Sequence, residues 1–242
     1  MSFWFVLWLL MSAALLYFFG WTLFVLYRQK KGWKSFAKRY DLRYEAGPMM
    51  QSPQVRGAFD GYQMHLFPSE HQSPDARSFR KLTAIEVGIK SALPFETAVA
   101  NAGMQSLLDV LPFRKEIKPK GDEKGLKWPT ENVIRADNPA MAQEYFTPAR
   151  LKALQKMMDI KNAMVIFLYR KDTGILRIDL PDPLDKADKP ERLMKSLVQV
   201  ARKLELTSGE GARLKSNANA KKAGLTVLDD KDDAPDFTLE DD

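Results

Sequence analysis

The chain has no cysteine and only two histidines, His65 and His71. Without thiols there is no disulfide staple, no thiolate nucleophile and no cysteine-held metal. The histidines fall in His65-Leu-Phe-Pro-Ser-Glu70-His71. A zinc motif of the His-Glu-x-x-His kind needs one helix face for both imidazoles, but His65 sits in a strand pattern and Pro68 interrupts the run. No Asn-x-Ser/Thr sequon occurs, which removes one sign of an exported domain. Phosphate-binding glycine loops are missing too. Gly209-Glu-Gly211 falls in a polar tail, and Gly121 and Gly125 have no strand-to-helix setting. No serine sits in a nucleophile elbow, and the acids are scattered with no pair set apart. The expectation is a non-enzymatic protein with no catalytic residue, no metal and no cofactor. The alternative is a membrane-tethered enzyme with an unrecognised pocket.

Charge is the other absence, and it is local. Phe3 to Tyr27 is a run of 25 residues with no ionisable acid or base, almost all of it apolar or aromatic. As a helix it would reach roughly 37 Å, and about 20 residues already cross a bilayer core. Backbone groups in lipid have no water to bond, so a lone segment crosses as a helix. A cleaved signal peptide fits poorly, because the run is too long and starts without a basic residue. Arg28, Lys30, Lys31, Lys34, Lys38 and Arg39 follow at once, with no acid before Asp41. That excess places the flank on the cytoplasmic side, with the N-terminus outside and the remaining chain inside. These six residues are the candidate membrane-surface contacts, suited to anionic headgroups. Trp4, Trp8, Trp21, Tyr27 and Trp33 are candidates for the interfacial aromatic belts.

The net charge of +6 conceals a split. Asp229 to Asp242 carries eight acids and one lysine, so the rest of the chain stands at +13. No recognition module accompanies that excess, and nucleic-acid binding is not expected. Residues 28–40 continue the helix out of the bilayer, with Trp33, Phe36, Ala37 and Tyr40 in a stripe that could pack on the domain or lie on the lipid surface. Gly32 reads as a possible hinge.

The soluble part, 41–206, reads as α+β: a mostly antiparallel sheet with helices packed on it. Its clearest local signal is a hairpin over 54–67, two alternating runs around Asp60-Gly61. Residues 68–80 read as a polar loop, and strands are expected at 82–89, 97–100 and 133–135. A charged connection, 113–130, could join two halves. Asn138-Pro139 and Thr147-Pro148 are helix starts, predicting a broken helix over 139–158. A second hairpin follows over 163–180, then a helix with Leu193, Leu197, Ala201 and Leu204 inward. Order should end after Leu206, leaving 207–242 as a disordered tail, acidic at its end. The fragment 41–206 is expected to fold alone and to bind an unknown protein partner.

The order of these motifs is familiar. Tyr44-Glu45-Ala46-Gly47, the Gly57-x-x-x-Gly61-Tyr62 strand, and residues 133–148 followed by helix, hairpin and helix form a set. With the N-terminal span, the chain resembles bacterial single-pass membrane-anchored proteins that carry a domain of unknown function, over residues 30–205. The resemblance implies an inner-membrane setting and an α+β domain. It brings no catalytic residue with it.

Overall fold

The structure, a computed structural model, describes residues 3–48, 50–72, 79–119, 128–217 and 219. Its N-terminal element is a single helix, α1 (Phe3–Arg39), which runs from the apolar segment into the domain without a break. It is long and apolar enough to cross a membrane. Its first part exposes Phe3, Trp8, Leu16 and Phe19; from Gln29 onward it sinks into the protein, with Trp33, Phe36 and Ala37 at 1% exposure or less. Trp33 is therefore a core residue and not part of an aromatic belt. Its indole Nε1 donates to the Pro183 carbonyl at 3.2 Å. Nor is Gly32 a hinge. A Cβ there would lie 2.4 Å from the Asp185 carbonyl oxygen, so the glycine is what lets the 181–185 loop close against the helix.

Among the described residues, eight strands form one antiparallel sheet, as the α+β reading expects: β1 (Arg43–Glu45), β2 (Gln54–Phe59), β3 (Tyr62–Gln72), β4 (Phe79–Ile89), β5 (Thr97–Ala100), β6 (Val133–Ala136), β7 (Met164–Arg170) and β8 (Thr173–Leu180). Their order is β1-β2-β3-β4-β8-β7-β5-β6, so β4 against β8 and β5 against β7 knit the early and late parts of the chain together. Asp60 and Gly61 turn the first hairpin with φ of 52° and 78°. Both positive values match the twist of the flanking strands. The 68–80 stretch differs from the expected loop: β3 runs to Gln72 and β4 starts at Phe79. Pro68 is tolerated because β2 pairs no further than Leu66, leaving that part of β3 with β4 as its one partner. Residues 73–78 and 120–127 lie outside the described residues.

Alternation gives the sheet two faces. One carries Val55, Leu66, Ile85, Ile178, Phe167 and Val99 into the main core, under the end of α1 and three further helices. These are α3 (Pro139–Tyr145), α4 (Pro148–Met158) and α5 (Asp188–Leu204), numbered after a short α2 (Gln105–Leu108). Asn138 and Thr147 accept from Met141 N and Arg150 N, so two separate caps break the expected 139–158 helix in two. α5 buries Met194, Leu197, Val198, Ala201 and Leu204, and Ala187 occupies its N-cap. On the other face, α2 and Leu111–Phe113 cover Ala98, Ala100 and Ile166 in a smaller second core.

Order does not end at Leu206. Residues 210–217 are helical, with Leu214 at 0% exposure and Glu210 at 7%. Glu210 meets Arg150 in a bidentate ion pair, 2.6 and 2.9 Å. Arg150 also donates to the carbonyls of Tyr145, Lys203 and Glu205, which closes the C-terminal end of α5. Residues 218 and 220–242, including the acidic end, lie outside the described residues.

Candidate functional site

Of the six basic residues expected at the membrane surface, Arg28, Lys30 and Arg39 make contacts within the protein. Arg28 pairs with Asp185 at 2.8 Å, and Lys30 Nζ donates to the Pro48 carbonyl at 2.8 Å. Arg39 pairs with Asp188 and Glu191 at the start of α5. Lys195, Tyr40 and Arg39 hold the Glu191 carboxyl down at about 2. The fold therefore uses three of the six to tie α1 to the domain. Lys31, Lys34 and Lys38 stay exposed on the same helix. The spacing reflects this: Gly32, Trp33, Phe36 and Ala37 hold the buried side, and the three lysines fall beside them on the exposed side.

A cavity of about 820 Å³ opens where α1 leaves the domain. One wall is the helix itself, with Trp21, Thr22, Val25, Leu26 and Gln29 on adjacent turns. The opposite wall comes from the 45–54 segment and from the far ends of β3 and β4, including Glu45, Ser52, Gln54, Ser69, Glu70 and Lys81. Ser52 Oγ donates to Gln29 Oε1 at 2.9 Å and bridges the two walls. The helix wall is mainly apolar, and the opposite wall mixes polar groups with Pro48, Met50, Pro68 and Leu82. No single segment encodes it, and sequence reasoning did not find it.

A polar ladder crosses the second face of β2, β3, β4 and β8. The register places His65 opposite Glu86 and Glu86 opposite Arg177, with Ala84 opposite Asp179 on the next rung. Asp179 has 0% exposure yet accepts four hydrogen bonds: from Arg177 Nε and Nη2 at 2.7 and 2.8 Å, from Ser69 Oγ at 2.6 Å, and from His71 Nε2 at 2.9 Å. Arg177 reaches Glu86 at 3.2 Å and lies 5.2 Å from the Phe67 ring centroid. Burial pushes the Glu86 carboxyl up against the pull of Arg177, and burial followed by the Arg56 charge pushes His65 down. His71, expected as a loop histidine, is a strand residue here. The signal for it was present: Ser69 and His71 continue the period-two face of His65 and Phe67 straight past Pro68.

Ser69, His71 and Asp179 come together, but in an order unlike a nucleophilic triad. Ser69 and His71 both bond the same carboxylate oxygen, so the hydroxyl donates to Asp179 and not to the imidazole. Among the described residues no group of three or more His, Asp or Glu side chains is placed to hold a metal ion. A second cavity, about 530 Å³, lies between Glu96, Asp137, Tyr169 and Lys215.

No protein-family model matches the chain, and no curated relative matches it. Among solved structures it shows a distant likeness to the mycobacterial trehalose monomycolate transport factor A, TtfA. The TM-score is 0.40 at 12% identity, over 72% of this chain and 91% of that one. A likeness at that level carries no argument about function. The resemblance to bacterial membrane-anchored proteins rests on the motifs of the sequence and on the apolar N-terminal helix.

Proposed function

We propose that this chain is a non-catalytic, single-pass protein of the bacterial inner membrane. Its N-terminus lies outside, and its α+β domain lies in the cytoplasm, where it binds a partner protein or a membrane component. One observation carries the reading: α1 is a single helix whose first part is exposed and apolar and whose last third is core. A helix shared in this way fixes the domain at a set height and orientation above the bilayer, where a loose linker would let it wander. The exposed Lys31, Lys34 and Lys38 support a cytoplasmic, anionic lipid surface beside it, each worth about 1 kcal/mol near the headgroups.

The experiment is a topology assay on the full chain. Reporters fused to the C-terminus are scored for activity in the cytoplasm or outside it, and membranes are washed with alkaline carbonate. Cytoplasmic activity with retention in the washed membrane is expected. Activity confined to the exported side, or release by the wash, overturns the reading.

A further inference from the structure

The cavity at the foot of α1 combines two surfaces that rarely meet. Val25 and Leu26 belong to the uncharged run that ends at Tyr27, so this wall continues the lipid-facing surface of the helix. Arg28, one turn further, already pairs with the domain. The cavity therefore lies at the depth where acyl chains give way to headgroups. Trp21 and Met50, at 56% and 51% exposure, stand at its edge. Its volume falls within the roughly 300–1,000 Å³ of small-molecule sites. That holds one headgroup and the start of a chain, with the rest of the chain left in the bilayer.

The polar wall selects among headgroups. Glu70 faces the cavity opposite Lys81, the one basic lining residue, so the charged groups of this wall balance. Glu45 lies with its register partner Gln54 on the second face and pairs there with exposed Arg43. The other polar side chains on this side are Thr22, Gln29 and Ser52, while Gln54 and Ser69 turn theirs to the second face of the sheet. This surface offers one carboxylate, one ammonium and hydroxyl and amide groups. A headgroup with a net negative charge would find its one base already matched by Glu70. A headgroup without net charge, bearing ammonium or hydroxyl donors, would find acceptors.

We propose that the α1–sheet cavity binds a single membrane lipid whose headgroup is neutral overall and rich in hydrogen-bond donors, with its chain laid along Trp21, Val25 and Leu26. The inference rests on the membrane-anchored reading and specifies the membrane component that the domain engages. The lysines on α1 recruit anionic lipid around the domain, whereas the charge-balanced cavity takes neutral lipid. The two surfaces thus sort the lipids beneath the protein by charge.

The test reconstitutes the full chain in nanodiscs of equimolar phosphatidylethanolamine, a neutral galactosyl glycerolipid and phosphatidylglycerol. It is then released into mild detergent, and retained lipid is counted by native mass spectrometry. One lipid per chain is expected, with either neutral class favoured over phosphatidylglycerol by about fivefold or more, the equivalent of one surface charge. Val25→Trp, which fills the wall from the helix side without touching the domain core, should abolish retention. Glu70→Lys should move the preference toward phosphatidylglycerol. Equal retention of all three lipids, a preference for phosphatidylglycerol in the wild type, or full retention in Val25→Trp overturns the inference. Carbonate washing of the source membranes separates the two failures. A chain released by the wash refutes anchoring and this site together, while a retained chain without selective lipid refutes the site alone.

Discussion

Replacing Arg150 should release the C-terminal segment of the domain and much of its stability. The guanidinium is 6% exposed, makes five hydrogen bonds and lies 4.3 Å from the Tyr145 ring centroid. Arg150→Ala strips the buried Glu210 carboxylate of its countercharge, leaving it only the donors of Thr207, and takes the guanidinium from the Lys203 and Glu205 carbonyls, a loss of about 3–5 kcal/mol. Glu210→Gln keeps the shape, removes the charge and should cost about 1.5–3 kcal/mol. The pH dependence follows from the same pair. The hydrogen bond from Arg150 is the main reason the Glu210 carboxyl is held at about 2 instead of the usual 4.5. A depressed acid contributes stability above its unfolded value and loses it as pH falls toward the folded one. The advantage of wild type over Glu210→Gln should therefore be full above about pH 4.5 and vanish near pH 2, an amount on the order of 1–3 kcal/mol. The assay is urea unfolding of the full chain in mild detergent at pH 7, 4 and 2.5, followed by tryptophan fluorescence. Amide exchange at 207–217 reports the local release. A cost below about 1 kcal/mol for Arg150→Ala, or a pH-independent gap between wild type and Glu210→Gln, would refute the buried-clamp argument.

Three other outcomes are expected. Gly32→Ala drives a methyl into the Asp185 carbonyl and should destabilise the domain by about 1–3 kcal/mol in the same unfolding assay; a neutral result would mean that the 181–185 loop does not close on α1. The fragment 41–206 lacks Trp33, Phe36, Ala37 and Leu214 of the main core, so it should be partly unfolded by near-ultraviolet circular dichroism; a cooperative, native-like spectrum would show that the end of α1 is dispensable. Replacing Lys31, Lys34 and Lys38 by Gln should weaken association with anionic lipid by about 1 kcal/mol per residue and leave the unfolding midpoint unchanged. Replacing Arg28 and Arg39 should instead lower the midpoint. Equal effects of the two sets on lipid association would contradict their division of labour.

Much of the fold was legible because its signals are local. Asp60-Gly61, Asn138-Pro139 and Thr147-Pro148 act within four residues of themselves, through φ preference and capping, and each did what its chemistry dictates. Pro68 misled because its effect depends on whether a neighbouring strand needs its missing N–H, and that is settled by where β2 stops. Gly32 misled in the same way: an isolated helix is weakened by glycine, while a helix pressed by another backbone requires it. The segment after Leu206 looked too polar to order, and its apolar content is indeed small. Buried Leu214, the ion pair of Glu210 with a residue 60 positions away, and the contacts of Arg213 and Asn217 with Glu144 hold it.

The chain's long uncharged run and the bases that follow it were enough to identify a membrane-length helix and its charge asymmetry, since bilayer insertion depends on composition along one segment. Strand and helix identities came from periodicity for the same reason. The partners of the bases, the ladder around Asp179 and the cavity beside Val25 required folding in three dimensions. Asp179 meets Ser69 across 110 positions, and Arg28 meets Asp185 across a gap larger still. Contacts of that span have no period and no local composition, so they exist only once the sheet and α1 have packed.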